Sequence, residues 1–304
     1  MSKTIRIGTR DSALALWQAK TVQQQLKALN FKTELIPIKS EGDLNLNQPL
    51  YEMGITGIFT KSLDVALLNN KIDIAVHSMK DVPTSLPEGI IESAVLKRHS
   101  NKDVLVYNNL EFLEKPNETI GTGSLRRRAQ WLNKYPLHIT EDLRGNVLTR
   151  LSKLEKNRWG GAIFALAGLE RINALPKNHI VLDWMSPAPA QGAMLIVTKK
   201  EDVFSYNATH HLNHNETEIC IQIERAFLKT LEGGCTAPIG ASAEIKNNHI
   251  VFKGVLLALD GSRKIEINQS IDPNSYSGFG EKCANHILEN GGKELMTEIK
   301  QNLS

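Results

Sequence analysis

The sequence predicts an α/β protein with two similar α/β lobes, a cleft between them, and a small C-terminal α+β domain. Three observations support this class. Strand and helix patterns alternate along the first part of the chain, one short motif recurs there, and the C-terminal part changes to a helix-and-hairpin pattern. The chain has 304 residues, and 41% of them are hydrophobic, which suffices for packed cores in two or three domains.

The first lobe is predicted from alternating short strands and amphipathic helices. Thr4–Gly8 has a strand pattern, and Ser12–Leu29 has a helix pattern with its apolar residues on one face. A strand at Thr33–Lys39, a helix at Ile58–Asn69 and a buried-type strand at Ile72–His77 follow. Such alternation is typical of a mostly parallel sheet covered by helices.

A second lobe is predicted because a motif of the first lobe recurs. Residues 7–12 read Ile-Gly-Thr-Arg-Asp-Ser, and residues 120–125 read Ile-Gly-Thr-Gly-Ser-Leu. In both, a strand ends at Gly-Thr, and Ser12 or Ser124 then occupies a helix N-cap position. Each lobe would direct the free N–H groups of a helix N-terminus towards the cleft.

The C-terminal part is predicted to form a separate α+β domain. A helix at Glu216–Leu231 precedes three strands, joined in part by a hairpin turn at Asp260-Gly261, and two final helices. The expected strands are Ala241–Ile245, Ile250–Leu259 and Lys264–Ile271, and the expected final helices are Tyr276–Glu289 and Lys293–Asn302. The predicted domains are 1–97 with 190–210, then 98–189, and finally 215–304.

The charge is distributed unevenly along the chain. A net charge of +3 gives no reason to expect nucleic acid or an anionic membrane as a partner. The window from Arg126 to Arg171, however, carries +6 and seven of the twelve arginines. Any anion-binding surface is therefore expected to draw on that window.

Compartment and cysteine content favour a soluble cytoplasmic protein. The N-terminal residues lack an apolar signal core, and no stretch approaches the length of a membrane span. Three cysteines cannot form a disulfide framework, and their spacing indicates no metal site. Cys220 and Cys283 lie on predicted helices and are expected to be buried. Cys235 lies on a Gly- and Pro-flanked loop and is a candidate nucleophile or attachment point.

The segment His77–Pro83 follows an apolar strand, at the end where open α/β sheets bind their ligands. Lys80 and Asp81 offer a cation and an acid side by side. The alternative is a charged turn that solvates the strand end. His77 itself is expected to be a core histidine rather than a base.

Arginines cluster on the first turn of the helix that begins after Ser124. Cations there face the positive end of the helix dipole, at a cost of about 0.3–1 kcal/mol each, which anion binding can offset. Arg126, Arg127 and Arg144 are therefore predicted to bind an anion. Arg128 and Arg158 are expected to lie on solvated faces.

Five segments together resemble the hydroxymethylbilane synthase family, also called porphobilinogen deaminase. The matching segments are Gly8–Ala19, His77–Pro83, Gly121–Arg127, Leu143–Arg150 and Leu231–Gly240. They follow the order and spacing of that family almost from end to end.

The resemblance implies two lobes like those of periplasmic binding proteins and a third domain that carries a dipyrromethane cofactor. It implies a transferase of heme biosynthesis that condenses four porphobilinogen molecules head to tail onto this cofactor. Each addition releases ammonia, and water finally frees the linear tetrapyrrole. It further implies a monomer whose product passes to uroporphyrinogen-III synthase.

The resemblance also implies the residue roles. Asp81 and Lys80 are the expected catalytic residues, and no metal is expected. The expected cofactor-binding residues are Cys235 (by a thioether), Asp81, Lys80, Ser124, Arg126, Arg127, Arg144 and Gly168. The expected substrate-binding residues are Arg10, Ser12, Arg144, Arg150 and Arg171.

Three positions depart from the family pattern. Thr56 stands where the family usually has a lysine, Gly123 where it has a serine, and Ala190 where it has a glycine.

Two other functions are alternatives to the enzyme. A non-enzymatic anion receptor would suit the two lobes but leaves Cys235 unexplained. A nucleic-acid binder would use the arginine-rich window, with Trp131 and Trp159 either stacking on bases or lying in the core.

Overall fold

The computed structural model describes residues 3–39, 60–231 and 237–303. Thr56, Cys235 and the start of the helix predicted from Ile58 lie outside these residues. The described chain forms two compact units. The first comprises 3–39, 60–99 and 192–218, and the second comprises 100–191, 219–231 and 237–303.

The secondary structure follows the predicted alternation. The strands are β1 (Ile5–Thr9), β2 (Thr33–Pro37), β3 (Ile74–Ser78), β4 (Ile90–Val95), β5 (Asp103–Tyr107), β6 (Thr119–Gly121), β7 (Ile139–Glu141), β8 (Gly161–Ala165), β9 (His179–Val181), β10 (Met194–Lys199), β11 (Ile239–Lys246), β12 (His249–Leu257) and β13 (Lys264–Ile271). The α-helices are α1 (Ala13–Ala28), α2 (Lys61–Leu68), α3 (Leu125–Lys134), α4 (Val147–Lys156), α5 (Leu166–Arg171), α6 (Val203–His210), α7 (Asn215–Thr230), α8 (Phe279–Ile287) and α9 (Lys293–Leu303).

The first unit is built on a five-stranded sheet of order β2-β1-β3-β10-β4. The predicted α/β class is confirmed, and so is the prediction of a mostly parallel sheet, because four of the five strands run in the same direction. The β1–β2 and β1–β3 pairs are parallel, whereas β10 runs antiparallel to both of its neighbours. The sheet is mixed because β10 is supplied by a later segment, which enters between two strands that precede it in the chain.

The second unit contains a sheet with the same order and directions, β7-β6-β8-β5-β9. Its recurring glycine has a packing reason in both lobes. A Cβ on Gly8 would lie 2.2 Å from Ile72, and one on Gly121 would lie 2.5 Å from Trp159. Gly8 pairs with Ala75, and Gly121 pairs with Ala162 at the equivalent place. The two lobes therefore share a topology and a local packing solution.

The C-terminal domain consists of an antiparallel sheet, β11-β12-β13, with helices packed against it. Its core includes Phe227, Phe252 and Phe279, whose rings meet edge to face at centroid distances of 5.1 and 6.0 Å. The predicted strands and helices are present, and β13 has the predicted bounds. Gly261, in the turn between β12 and β13, has a positive φ of 77°, as a tight turn requires.

Candidate active site

In the first unit, the candidate residues follow the carboxyl end of β3. A short 3₁₀ turn, Met79–Asp81, carries Lys80 and Asp81 half-buried between the buried side chains of Met79 and Val82. The amide of Met79 donates to the carbonyl of Ala193 at 3.1 Å, which fixes the turn against β10. Asp81 makes no hydrogen bond or ion pair with any residue that the structure describes. The backbone of the turn is therefore held in place, while the Asp81 oxygen atoms keep their acceptor capacity.

Two neighbouring side chains support this strand end. The Ser78 hydroxyl accepts a hydrogen bond of 2.9 Å from Nε2 of Gln18, a buried residue of α1. His77 is buried, as predicted, and burial followed by the charge of Arg10 lowers its pKa to about 3. A histidine with this pKa is neutral at physiological pH and is not a general base tuned to that range.

Arg10 and Ser12 lie on the turn between β1 and α1, within the same unit. Ser12 is the N-cap of α1, and its hydroxyl accepts a hydrogen bond of 3.4 Å from the amide of Ala15. The predicted cap is therefore confirmed. Arg10 is half-buried and close enough to His77 to affect its pKa.

In the second unit, Ser124 occupies the N-cap position of α3 but its side chain makes no capping bond. Arg126 and Arg127 follow on the first turn, as predicted, yet both are buried rather than displayed. The side chain of Asp103, which is fully buried at the start of β5, accepts from both. Arg126 Nη1 donates to Oδ2 at 2.7 Å, and Arg127 Nε and Nη2 donate to Oδ1 at 3.0 and 2.8 Å.

The ion pairs with Asp103 offset the unfavourable electrostatic energy of two cations at a helix N-terminus. Burial opposes ionisation of Asp103, but the two guanidinium groups outweigh it and hold the pKa of that carboxyl well below its usual value. The sequence pattern did not indicate Asp103 as a site residue, because a single acid before an apolar run is common at the start of a strand. An acid at a strand start, upstream of an arginine-rich helix start, was the available signal.

Two of the predicted arginines have buried donors with no partner among the described residues. These are Nε of Arg126 and both Nε and Nη1 of Arg144. Burial lowers the pKa of Arg126 despite Asp103, and lowers that of Arg144 despite Asp142. An unsatisfied buried donor costs about 1–3 kcal/mol, and more when charged, so these groups are suited to receive an anionic ligand.

The remaining predicted residues of this unit lie on α4 and α5. Arg150 Nε donates to the carbonyl of Gly145 at 2.7 Å. Arg171, at the end of α5, is buried, and burial lowers its pKa to about 10 although Glu170 opposes the shift. Gly168 lies on the same helix and is half-buried.

Other predictions have clear outcomes. Arg128 and Arg158 are exposed, as expected of solvated faces. Cys220 and Cys283 are buried free thiols, as expected, and burial raises the pKa of Cys283 to about 11. Trp131 and Trp159 both lie in the core. The described residues include no cluster of side chains suited to a metal ion.

Two of the three departures from the family pattern lie in described residues. A Cβ on Gly123 would lie 2.8 Å from the carbonyl oxygen of Leu143, so a serine there would displace the segment that carries Arg144. Ala190 has a φ of 62°, which suits glycine better than alanine. Its amide donates to the buried carboxylate of Glu224 at 2.7 Å, which ties this strained residue to α7.

Comparisons with known proteins identify the family. Residues 5–206 match the dipyrromethane cofactor-binding domain of porphobilinogen deaminase, and residues 218–289 match its C-terminal domain. A porphobilinogen deaminase of Desulforamulus reducens is 39% identical to this chain, over 99% of each sequence. The chain belongs to the porphobilinogen deaminase family. The predicted enzyme class, hydroxymethylbilane synthesis on a dipyrromethane cofactor, is thereby confirmed.

Solved structures similar to this chain include bacterial binding proteins. A periplasmic binding protein of Salmonella typhimurium with arginine specificity is 13% identical, with a TM-score of 0.42, over 71% of this chain and 94% of that protein. A probable amino-acid transporter's extracellular-binding protein of Bacillus subtilis is 14% identical, with a TM-score of 0.44, over 70% and 90% of the two chains.

The residues of the second unit fit the family's cofactor. A dipyrromethane with acetate and propionate side chains presents several carboxylates. The buried guanidinium groups of Arg126 and Arg144 are cations, and their N–H donors without a partner among the described residues can bind such carboxylates. Among the described residues, no helix is both long enough and apolar enough to cross a membrane.

Proposed function

We propose that the two units have different roles in hydroxymethylbilane synthesis. Asp81 of the first unit takes part in the chemistry, and the second unit binds most of the carboxylates. The dipyrromethane, joined to Cys235 by a thioether, supplies the nucleophilic pyrrole carbon to which porphobilinogen is added. The remaining steps depend on side chains of this chain.

Asp81 is the proposed catalytic acid–base residue. In each addition, the substrate's bond to its amino group breaks, ammonia leaves, and a carbon–carbon bond forms to the nucleophilic pyrrole carbon, which then loses its proton. Positive charge develops on the substrate when ammonia leaves, and a fixed carboxylate stabilises it. The half-buried Asp81, whose oxygens have no partner among the described residues, can provide this charge and accept a proton at Oδ. Lys80 beside it is proposed to hold a carboxylate of the same ring.

The arginines are proposed to hold the acetate and propionate groups. Arg126, Arg127, Arg144 and Ser124 would contact the cofactor, beside Gly168. Arg10, Ser12, Arg144, Arg150 and Arg171 would contact substrate rings. Each charge-assisted hydrogen bond contributes about 1.5–3 kcal/mol, so a few of them can retain a growing chain through four additions. The observation that carries this proposal is that Arg126 and Arg144 in the second unit have buried guanidinium donors with no partner among the residues that the structure describes.

We further propose that the protein acts as a cytoplasmic monomer. Hydrolysis releases a linear tetrapyrrole, and we propose uroporphyrinogen-III synthase as the enzyme that receives it.

Intact mass spectrometry of the purified protein tests the attachment. The expected mass exceeds that of the sequence by one dipyrromethane, and Cys235→Ser is expected to remove the excess. Cys220→Ser is the matched control, because that buried thiol should leave the excess unchanged. An unmodified mass in a preparation that turns over porphobilinogen would contradict the proposed attachment.

A further inference from the structure

Asp103 lies at the centre of a buried polar cluster in the second unit. Its side chain is fully buried, and four donor atoms from three residues converge on its two oxygens. Oδ1 accepts from Nε and Nη2 of Arg127 and from Nε2 of Gln191, the last at 2.9 Å. Oδ2 accepts only from Arg126 among the bonds seen. Arg127 and Gln191 thus fill one oxygen and leave the other to Arg126.

The two arginines of the cluster have different capacities for a ligand. Arg127 engages all three guanidinium nitrogens, since its Nη1 also donates to the carbonyl of Ile163 at 3.0 Å. Among the described residues, Arg126 engages only Nη1, which donates to Asp103 and to the carbonyl of Ser186 at 2.6 Å. Its Nε is buried with no partner among the described residues. One edge of the Arg126 guanidinium is therefore fixed, and the other edge is available.

We propose that Asp103 is a positioning residue, which fixes one edge of Arg126 so that the opposite edge is presented to a carboxylate of the bound pyrrole chain. The proposal rests on the proposed function of the second unit. Arg127 and Gln191 orient the carboxylate of Asp103. Arg127 keeps one further N–H on each of Nη1 and Nη2 for its proposed contact with the cofactor. A planar guanidinium held on one edge loses little rotational freedom when it binds a carboxylate with the other.

Cofactor loading of the apoprotein tests this role without relying on turnover. Apoprotein is incubated with porphobilinogen at several concentrations, and the rate of dipyrromethane attachment is followed by intact mass. Folded Asp103→Asn is expected to load at least about tenfold more slowly, since it loses the charge that orients Arg126. Asp73→Asn is the matched control. That buried aspartate also accepts three bonds from one arginine, Arg6, but it lies at the amino end of β3.

The outcomes separate positioning from mere stabilisation. Slow loading by Asp103→Asn with normal loading by Asp73→Asn supports the proposal, and equal loading by both folded variants overturns it. If Asp103→Asn does not fold, Asp103→Glu keeps the charge but moves the oxygens by one methylene. It is expected to raise KM about tenfold and to change kcat little, whereas an unchanged KM overturns the proposal. Failure of the wild-type apoprotein to load would overturn the proposed function itself.

Discussion

The two lobes share a sheet order, strand directions and a glycine in the first strand–turn–helix unit, but they treat charge differently. In the first lobe, Ser12 caps its helix, and Arg10, Lys80 and Asp81 are half-buried. Buried His77, near Arg10, is neutral. In the second lobe, Ser124 makes no capping bond and the arginines are buried around Asp103. One scaffold thus carries its candidate charged side chains half-buried in the first lobe and buried in an ion-pair cluster in the second.

The largest expected effect tests whether the chemistry belongs to the first lobe. Asp81→Asn is expected to fold and to load cofactor, because Asp81 makes no bond to another described residue. Turnover should fall about 10²- to 10⁴-fold, the usual contribution of a positioned acid–base group. Single-turnover kinetics with porphobilinogen would measure it. Near-normal turnover would remove Asp81 from the mechanism.

The second prediction concerns pH and the neutral histidine of the first lobe. An unfolded histidine binds a proton near pH 6.5, whereas buried His77 does so only near its folded pKa of about 3. Between these values the unfolded state binds more protons, so stability falls as pH falls. The loss is at most about 1.4 kcal/mol per pH unit. Well above pH 6.5, His77 causes no loss of stability.

Unfolding by urea between pH 7 and pH 4.5 would measure this loss. His77→Gln should flatten the pH dependence relative to wild type, while the exposed control His249→Gln should preserve it. Identical curves for the wild type and His77→Gln would show that His77 is protonated in the folded protein as readily as in the unfolded one.

The third prediction tests whether the second lobe is specialised for binding. Arg144→Met should weaken substrate binding about 10- to 100-fold, the equivalent of one charge-assisted hydrogen bond. The same change should raise the melting temperature of the Cys235→Ser apoprotein, because it removes buried donors that have no partner among the described residues. A lower melting temperature would mean that Arg144 already makes stabilising contacts without ligand.

The smallest expected effect compares the two serines directly. Ser12→Ala should cost about 1 kcal/mol of unfolding free energy, because it removes an N-cap hydrogen bond. Ser124→Ala should cost much less, because its side chain makes no cap bond. Chemical denaturation of both variants as apoproteins would measure the difference. Equal losses would remove this distinction between the lobes.

The sequence predicted most of the fold and the family, but not the contacts that hold the candidate site residues. Periodicity located the strands and helices, and the recurring Ile-Gly-Thr motif predicted the second lobe. The sequence pattern could not predict that β10 enters the first sheet antiparallel, because a local pattern carries no information on which strand is its partner. It also could not predict that Asp103 pairs with Arg126 and Arg127, because that contact joins distant positions. The residue roles themselves stay predictions.

The shared register of the lobes bears on how the product is lengthened. Asp81 follows Ala75, the partner of Gly8, by the same six positions as Gly168 follows Ala162, the partner of Gly121. The acid is therefore present in one copy of the repeat and replaced by glycine in the other. With Asp81 as the catalytic group, additions occur one after another at a single point, and each new end must return to it.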